Sequence, residues 1–172
     1  MYNKMLLFVL AILCSNGTFA LSTDREQPIQ IEADKATIDN IKGIAIYEGN
    51  VIISQGSIQI NAETMTINYS KSHDIEKAVA TGKPARFQQR LDSGEDIKAK
   101  AKEMEYNALR NMLHLKIDAE LRKGKNGKDN YISHAPRISY DTQRAIITAD
   151  VYQGKSKNNR VRMTFNPTSN PK

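Results

Sequence analysis

The most informative part of this sequence is the stretch Ile60-Asn61-Ala62-Glu63-Thr64-Met65-Thr66-Ile67-Asn68. Its pattern is an alanine, two variable residues, an apolar residue, a spacer, an apolar residue or tyrosine, and then asparagine or aspartate. The pattern occurs at residues 31–39, 60–68, 99–107 and 133–141. The alanines of successive copies are 29, 39 and 34 residues apart, intervals that are typical of a repeated supersecondary unit.

Each copy predicts two short β-strands that meet at a corner beside the alanine. The alanine and the next apolar residue are three positions apart, so an unbroken strand would place them on opposite faces. A bulge or bend between them keeps both side chains facing inward. Similar strand-like segments lie between the copies, at residues 44–51, 78–85 and 145–151. The sequence therefore predicts stacked strand-turn-strand units.

Alternation of apolar and polar residues supports the strand prediction elsewhere. Residues 29–33 alternate, and residues 51–53 lie between turn signals at Gly49-Asn50 and Gln55-Gly56. Many short strands separated by turns predict a sandwich, a roll or a barrel. Residues 97–121 are instead rich in helix-favouring side chains, but they contain a copy of the repeat and are assigned to strand.

The N-terminus has the features of a secretory signal peptide. Lys4 precedes an apolar run at residues 5–14, which is about half the length that a membrane-spanning helix needs. We expect cleavage after Ala20. A lipoprotein signal is disfavoured because Leu13, which is not a small residue, directly precedes Cys14. The mature chain would have 152 residues, a net charge of +5 and no cysteine, so it would work outside the cytosol without disulfides.

Charge is distributed unevenly along the chain. Residues 21–121 carry 13 basic and 16 acidic side chains, whereas residues 122–172 carry 11 and 3, giving net charges of −3 and +8. The basic third either attracts an anion such as phosphate or an acidic lipid head group, or only aids solubility. No nucleic acid partner is expected, because aromatic side chains do not alternate with the basic ones. The predicted organisation is a signal peptide (1–20), a β-domain (21–154) and a basic C-terminal strand and tail (155–172).

No arrangement of side chains indicates catalysis. His73, His114 and His134 lack the spacing of a metal site, and the mature chain would have no cysteine nucleophile and no nucleophile-elbow motif. Glu103 and Glu105 are expected together on the solvent face of one strand and not as a hydrolase pair. We therefore predict a protein that is not an enzyme and needs neither a metal nor a cofactor.

Three stretches carry a family resemblance: Gln27-Pro28-Ile29-Gln30-Ile31-Glu32-Ala33-Asp34, Glu48-Gly49-Asn50-Val51-Ile52-Ile53-Ser54-Gln55-Gly56-Ser57-Ile58-Gln59-Ile60-Asn61-Ala62, and Gly82-Lys83-Pro84-Ala85-Arg86-Phe87. In order and spacing, over about residues 27–151, they resemble the OstA-like (LptA-type) family of periplasmic lipopolysaccharide-transport proteins. The resemblance implies an open, twisted β-jelly roll of antiparallel strands that holds lipopolysaccharide acyl chains in its interior. The chain departs from the family pattern at Ile117-Asp118, where members often have Gly-Asn, and in the loop at residues 123–130.

The resemblance and the repeat together select candidate site residues. Those expected to line a lipid-binding interior are Ile29, Ile31, Ile38, Phe87, Met104, Tyr106, Ile138 and Tyr140. Each of them could instead be an ordinary residue of a packed core. Those expected to contact lipid phosphates are Lys155, Lys157, Arg160 and Arg162.

The resemblance also implies partners, because family members join edge to edge in a bridge from the inner-membrane LptB-LptF-LptG-LptC complex to LptD in the outer membrane. We expect the strand at residues 28–33 to pair with LptC, and a strand at 144–152 or 160–165 to pair with LptD or the next copy in a head-to-tail homo-oligomer. An alternative is a purely structural, self-assembling β-domain without lipid. An LptC-like relative is disfavoured, because it would need a membrane anchor longer than the run at residues 5–14.

Overall fold

The computed structural model describes residues 24, 26–151 and 160–167, and this part of the chain contains ten β-strands. The strands are β1 (Gln30–Glu32), β2 (Lys35–Asp39), β3 (Ile44–Gln55), β4 (Ile58–Tyr69), β5 (Ile75–Arg90), β6 (Glu95–Asn107), β7 (Met112–Lys125), β8 (Lys128–Asp141), β9 (Ile146–Asp150) and β10 (Arg162–Phe165). All pairings are antiparallel. The predicted all-β fold is confirmed.

The strands form one open sheet in the order β1-β3-β4-β5-β6-β7-β8-β10. Strands β3 to β8 follow one another as hairpins. β1 and β2 share the free side of β3, and β9 and β10 share the free side of β8. Within the described residues the two ends of the sheet do not pair with each other, so each end presents a strand edge.

The long strands bend where the repeat predicts corners. Register shifts separate Asn61 from Thr64 in β4, Lys100 from Glu103 in β6, and Ala135 from Arg137 in β8, where β8 pairs with Ala119 and Lys116 of β7. The gap between β1 and β2 falls at Ala33-Asp34. The corner alanines Ala101 and Ala135 are buried, because a methyl group is small enough for the inner side of a bend, where neighbouring side chains converge.

The corner of β7 contains Ile117-Asp118, the pair that departs from the Gly-Asn of the family pattern. Ile117 and Asp118 have φ values of 64° and 56°, which match the left-handed pair Gly49 (76°) and Asn50 (47°) at the corner of β3. The two corners therefore have the same backbone shape although only one contains glycine. A β-branched residue seldom adopts this conformation, so Ile117 is a strained position.

Two expectations about the elements are refined. The strands were expected to be short, but β3 to β8 each have 12 to 16 residues, because a bulge bends a strand without ending its pairing. Residues 97–121, with their helix-favouring composition, form parts of β6 and β7. Cross-strand pairing on both sides overrides local propensity there. The predicted signal peptide lies outside the described residues.

Candidate functional site

The inner face of the sheet is a nearly continuous apolar surface. Directly opposed residues of antiparallel strands share a face, so the register identifies the rows that cross the sheet. One row is Ile38, Ala45, Ile67, Ala78, Tyr106, Leu113, Tyr140 and Ile147. On the other side of the corners a second row is Ile31, Ile53, Ile60, Phe87, Ala99, Leu121, Ser133 and Met163. The strands thus supply an apolar face from one sheet edge to the other.

A cavity of about 670 Å³ follows this inner face. Its volume lies in the range of small-molecule sites, about 300–1,000 Å³. Its apolar walls include Ile29, Ile53, Ile60, Met65, Ile67, Phe87, Tyr106 and Leu113. Polar residues occur at both ends: Gln55 and Gln89 lie near one set of hairpin turns, and Asn111 and Gln143 near the opposite set. The cavity therefore extends along the strands, with apolar walls and polar ends.

Three of the predicted lining residues border this cavity, namely Ile29, Phe87 and Tyr106. Ile29 is 42% exposed and Phe87 is 7% exposed, so the cavity wall includes both an accessible rim and a sheltered interior. Ile31 does not border the cavity and is half-buried against the core.

The other predicted lining residues share the inner face but do not border the cavity. Met104, Ile138 and Tyr140 are buried in the packed core between β6 and β9. Burial raises the pKa of the Tyr140 phenol. Ile38 is 57% exposed, because β2 is an edge strand and has no neighbour on its outer side among the described strands. For these four residues the structure favours core or edge positions over direct lining of the cavity.

Sequence reasoning missed several cavity residues. Met65, Ile67 and Leu113 border the cavity, and the first two lie in the copy of the repeat at residues 60–68. The inward-facing apolar positions of this copy could have identified Met65 and Ile67 from the sequence. Asp24 also borders the cavity, and no local pattern marks it.

Asp24 fastens the N-terminal segment to one end of the cavity. Its carboxylate is buried and accepts hydrogen bonds from the backbone N–H and the hydroxyl of Ser57, both at 2.7 Å. Gly56, with a φ of 57°, allows this approach, because a Cβ there would clash with Asp24. The turn between β3 and β4 thereby anchors the segment that leads into β1.

The outer face is polar and carries cross-strand ion pairs. The Nζ of Lys116 donates hydrogen bonds to Glu103 and Glu105, both at 2.8 Å. These bonds raise the pKa of Lys116 and lower that of Glu105. The predicted solvent-face position of Glu103 and Glu105 is confirmed, and both carboxylates are engaged in ion pairs.

The histidines are dispersed in the structure. His114 Nδ1 lies 2.9 Å from Ser139 Oγ, and burial lowers the pKa of His114. His134 lies by Glu120, whereas His73 stacks on Tyr69. In the part of the chain that the structure describes, no three potential ligands are grouped to hold a metal ion.

The predicted anion contacts fall into two groups. Lys155 and Lys157 lie outside the described residues. Arg160 and Arg162 are exposed beside a second concavity, of about 600 Å³, which shares no lining residue with the apolar cavity.

Among the described residues no helix has the length and apolar character that a membrane span requires.

These features define a class: all-β proteins whose open, bent antiparallel sheet encloses an apolar cavity. Residues 30–146 match the family model described as "LptA/(LptD N-terminal domain) LPS transport protein". The chain belongs to this family, and the resemblance seen in the sequence is confirmed.

The relatives are export proteins for lipopolysaccharide. The chain is 35% identical over 161 residues to the lipopolysaccharide export system protein LptH of Pseudomonas aeruginosa, covering 91% of this chain and 89% of the relative. It is 34% identical over 157 residues to LptA of Haemophilus influenzae, covering 90% and 88%. Both relatives are thus named as components of a lipopolysaccharide export system.

A solved structure supports the jelly-roll fold. The crystal structure of P. aeruginosa LptH, described as the LptA-homologous periplasmic component of the lipopolysaccharide transport device, superposes with a TM-score of 0.73 at 32% identity. The match covers 84% of this chain and 99% of that one.

Proposed function

We propose that this protein carries lipopolysaccharide through the periplasm, with lipid A acyl chains in the apolar cavity and neighbouring proteins paired at its two strand edges. The cavity carries the proposal, because it extends along the strands and is apolar except at its ends. Acyl chains are flexible and apolar, so they need a long apolar wall and few directional contacts. In this proposal the predicted signal peptide, residues 1–20, directs export.

Two features distinguish the cavity from a packed core. Its volume of about 670 Å³ far exceeds the voids of ordinary protein interiors, which are rarely larger than a water molecule. Its rim includes the accessible side chain of Ile29. By contrast, Met104 and Ile138 are buried on the same face but do not border the cavity. We therefore place the acyl chains on the half of the inner face nearer the N-terminus.

The strand edges provide the means of assembly. β1 and β2 leave one side unpaired among the described strands, and so do β9 and β10 at the opposite end of the sheet. Backbone N–H and C=O groups on such edges can accept a further strand with little demand on side-chain identity. We propose LptC as the partner at β1 and β2, and LptD or the next copy of this protein at β10.

Photo-crosslinking tests the lipid part of the proposal. A benzophenone amino acid at Ile29 or Phe87 would face the cavity, whereas one at the adjacent residue Gln30 or Arg86 would lie on the outer face. We expect lipopolysaccharide adducts from the two inner positions and none from the matched outer ones. Equal labelling of both faces, or no labelling of the inner one, would overturn the proposal and favour a structural domain without lipid.

The same reagent tests the polarity of the edges. Crosslinkers in β1 should capture LptC, and crosslinkers in β10 should capture LptD or a second copy. Capture of one partner by both edges would contradict the proposed direction of the bridge.

A further inference from the structure

The second concavity, about 600 Å³ in volume, lies where β7 and β8 bend beside β10. Lys100, Glu120, His134 and Arg162 border it and are successive cross-strand partners in β6, β7, β8 and β10. Arg160 and Asp118 also border it. The row from Lys100 to Arg162 lies on the outer face, since its members alternate with the inward-facing residues Ala99, Leu121 and Ser133.

Glu120 organises the basic side chains of this concavity. Its buried carboxylate lies 3.1 Å from Lys100 Nζ, 3.2 Å from His134 Nδ1 and 2.5 Å from Arg122 Nε. Burial acts to raise the pKa of Glu120, but the hydrogen bonds from Arg122 and Lys100 outweigh it and hold the pKa low. The carboxylate therefore stays ionised and fixes the positions of its basic neighbours.

The acidic side chains of the concavity are already neutralised, but its arginines are not. Asp118 pairs with Lys102 at 3.0 Å, and Glu120 pairs with Lys100 and Arg122. Arg160 and Arg162 are exposed and form no ion pair with any residue that the structure describes. Guanidinium groups have a donor geometry that matches phosphate oxygens.

We propose that this concavity binds a phosphate monoester of a sugar, with Arg160 and Arg162 as the main contacts and Lys100 and His134 beside them. The phosphate comes from the sugar head group of lipopolysaccharide. This last assignment rests on the proposed transport function, whereas the phosphate site itself rests on the outer-face geometry alone. The site is separate from the acyl cavity and would bind head groups near the C-terminal edge, from which the lipid is passed on.

An NMR titration with probes that have no acyl chain tests the site. Isotope-labelled protein is titrated with glucosamine 1-phosphate, with unphosphorylated glucosamine and with inorganic phosphate, all at one ionic strength. We expect saturable shifts of backbone resonances at residues 117–120 and 134–136 with the sugar phosphate and none with glucosamine. Shifts spread over basic residues throughout the protein would overturn the proposal.

A matched pair of double variants tests the two arginines. Arg160→Gln/Arg162→Gln should weaken binding of the sugar phosphate about tenfold or more, the loss expected for a charge-assisted hydrogen bond. Lys71→Gln/Arg110→Gln removes the same charge from exposed turns at the far end of the strands and should leave binding unchanged. Equal losses in both variants would show a general charge effect and contradict the proposal.

The remaining outcomes identify the source of the phosphate and distinguish this inference from the proposed transport function. Inorganic phosphate that binds as tightly as glucosamine 1-phosphate would overturn the head-group assignment. Lipopolysaccharide adducts at Ile29 and Phe87 without any binding of the sugar phosphate would overturn this inference and leave the transport function standing. Binding of the sugar phosphate without those adducts would support the site and overturn acyl binding in the cavity.

Discussion

Ile117 shows that the backbone of this fold can override the preference of a side chain. It has a φ of 64° at the corner of β7, a conformation that glycine adopts at the equivalent corner of β3. For an L-residue this conformation costs about 1–2 kcal/mol, and it is least suited to a β-branched one. The neighbouring strands, which pair with β7 on both sides of the corner, hold Ile117 in place.

We predict that Ile117→Gly raises the free energy of unfolding by about 0.5–1 kcal/mol. Relief of the strain exceeds the entropy that glycine loses on folding, about 0.5–1 kcal/mol. Urea unfolding would show a higher midpoint with an unchanged slope. The reverse change, Gly49→Ala, should destabilise, because Gly49 has a φ of 76° and an added Cβ would clash with Asp34. A less stable Ile117→Gly protein would show that the isoleucine makes contacts worth more than its strain.

A second residue-scale prediction concerns pH. The pKa of Glu105 is lowered below its ordinary value of 4.5, chiefly by the hydrogen bond from Lys116. A lowered folded-state pKa means that the contribution of Glu105 to stability is fully present above about pH 4.5 and is lost as the pH falls through the folded-state value.

Glu105→Gln should therefore lower the free energy of unfolding by about 1 kcal/mol at pH 7, and the difference from the wild type should shrink below about pH 4.5. Urea midpoints measured across this pH range would check the result. Glu63→Gln provides the control, because Glu63 forms an exposed pair with Lys83 at 3.5 Å, and such pairs contribute little. A difference that persists at low pH would contradict the role of the carboxylate charge.

At the scale of the elements, local spacing predicted the corners but not the extent of the strands. The odd step between Ala62 and Met65 required a bend, and the register shift in β4 occurs there. Phe87 and Met104 are both buried residues of the inner face, yet only Phe87 borders the cavity. That distinction depends on the curvature of the whole sheet. The contact of Asp24 with Ser57 spans 33 residues, and no local pattern encodes it.

β10 is the edge strand at which we expect the next copy of the protein to pair. β10 pairs with β8 on one side only among the described strands, and Tyr131 of β8 contacts Phe165 edge-to-face with ring centroids 5.2 Å apart. Thr164→Pro removes one backbone donor from this short strand. We expect it to reduce concentration-dependent oligomers in size-exclusion chromatography and to leave lipopolysaccharide adducts at Ile29 and Phe87 unchanged, because no residue of β10 borders the apolar cavity.

Thr164→Ala is the matched control, because it shortens the same side chain and keeps the backbone N–H. Oligomers that persist in Thr164→Pro would show that β10 is not the edge that joins the next copy.

At the scale of the whole molecule, one bent sheet has two faces and two edges: an apolar inner face, a charged outer face and a strand edge at each end. The strict alternation of side chains along each strand separates the two faces. The corners curve the sheet so that the inner face encloses space instead of lying flat. A carrier that passes lipid between partners needs this combination of a sheltered interior and accessible edges, and none of it requires a catalytic group.

A larger side chain that fills the cavity tests most directly whether the cavity holds lipid. Ala78 borders the cavity, and its neighbour Val79 lies on the opposite face of β5. Binding of labelled lipopolysaccharide to the purified protein should weaken about tenfold or more in Ala78→Phe, in line with the cost of inserting bulk where a ligand packs. It should stay unchanged in Val79→Phe, and circular dichroism should show both variants folded. Undiminished binding in a folded Ala78→Phe protein would contradict the claim that the inner cavity holds the lipid.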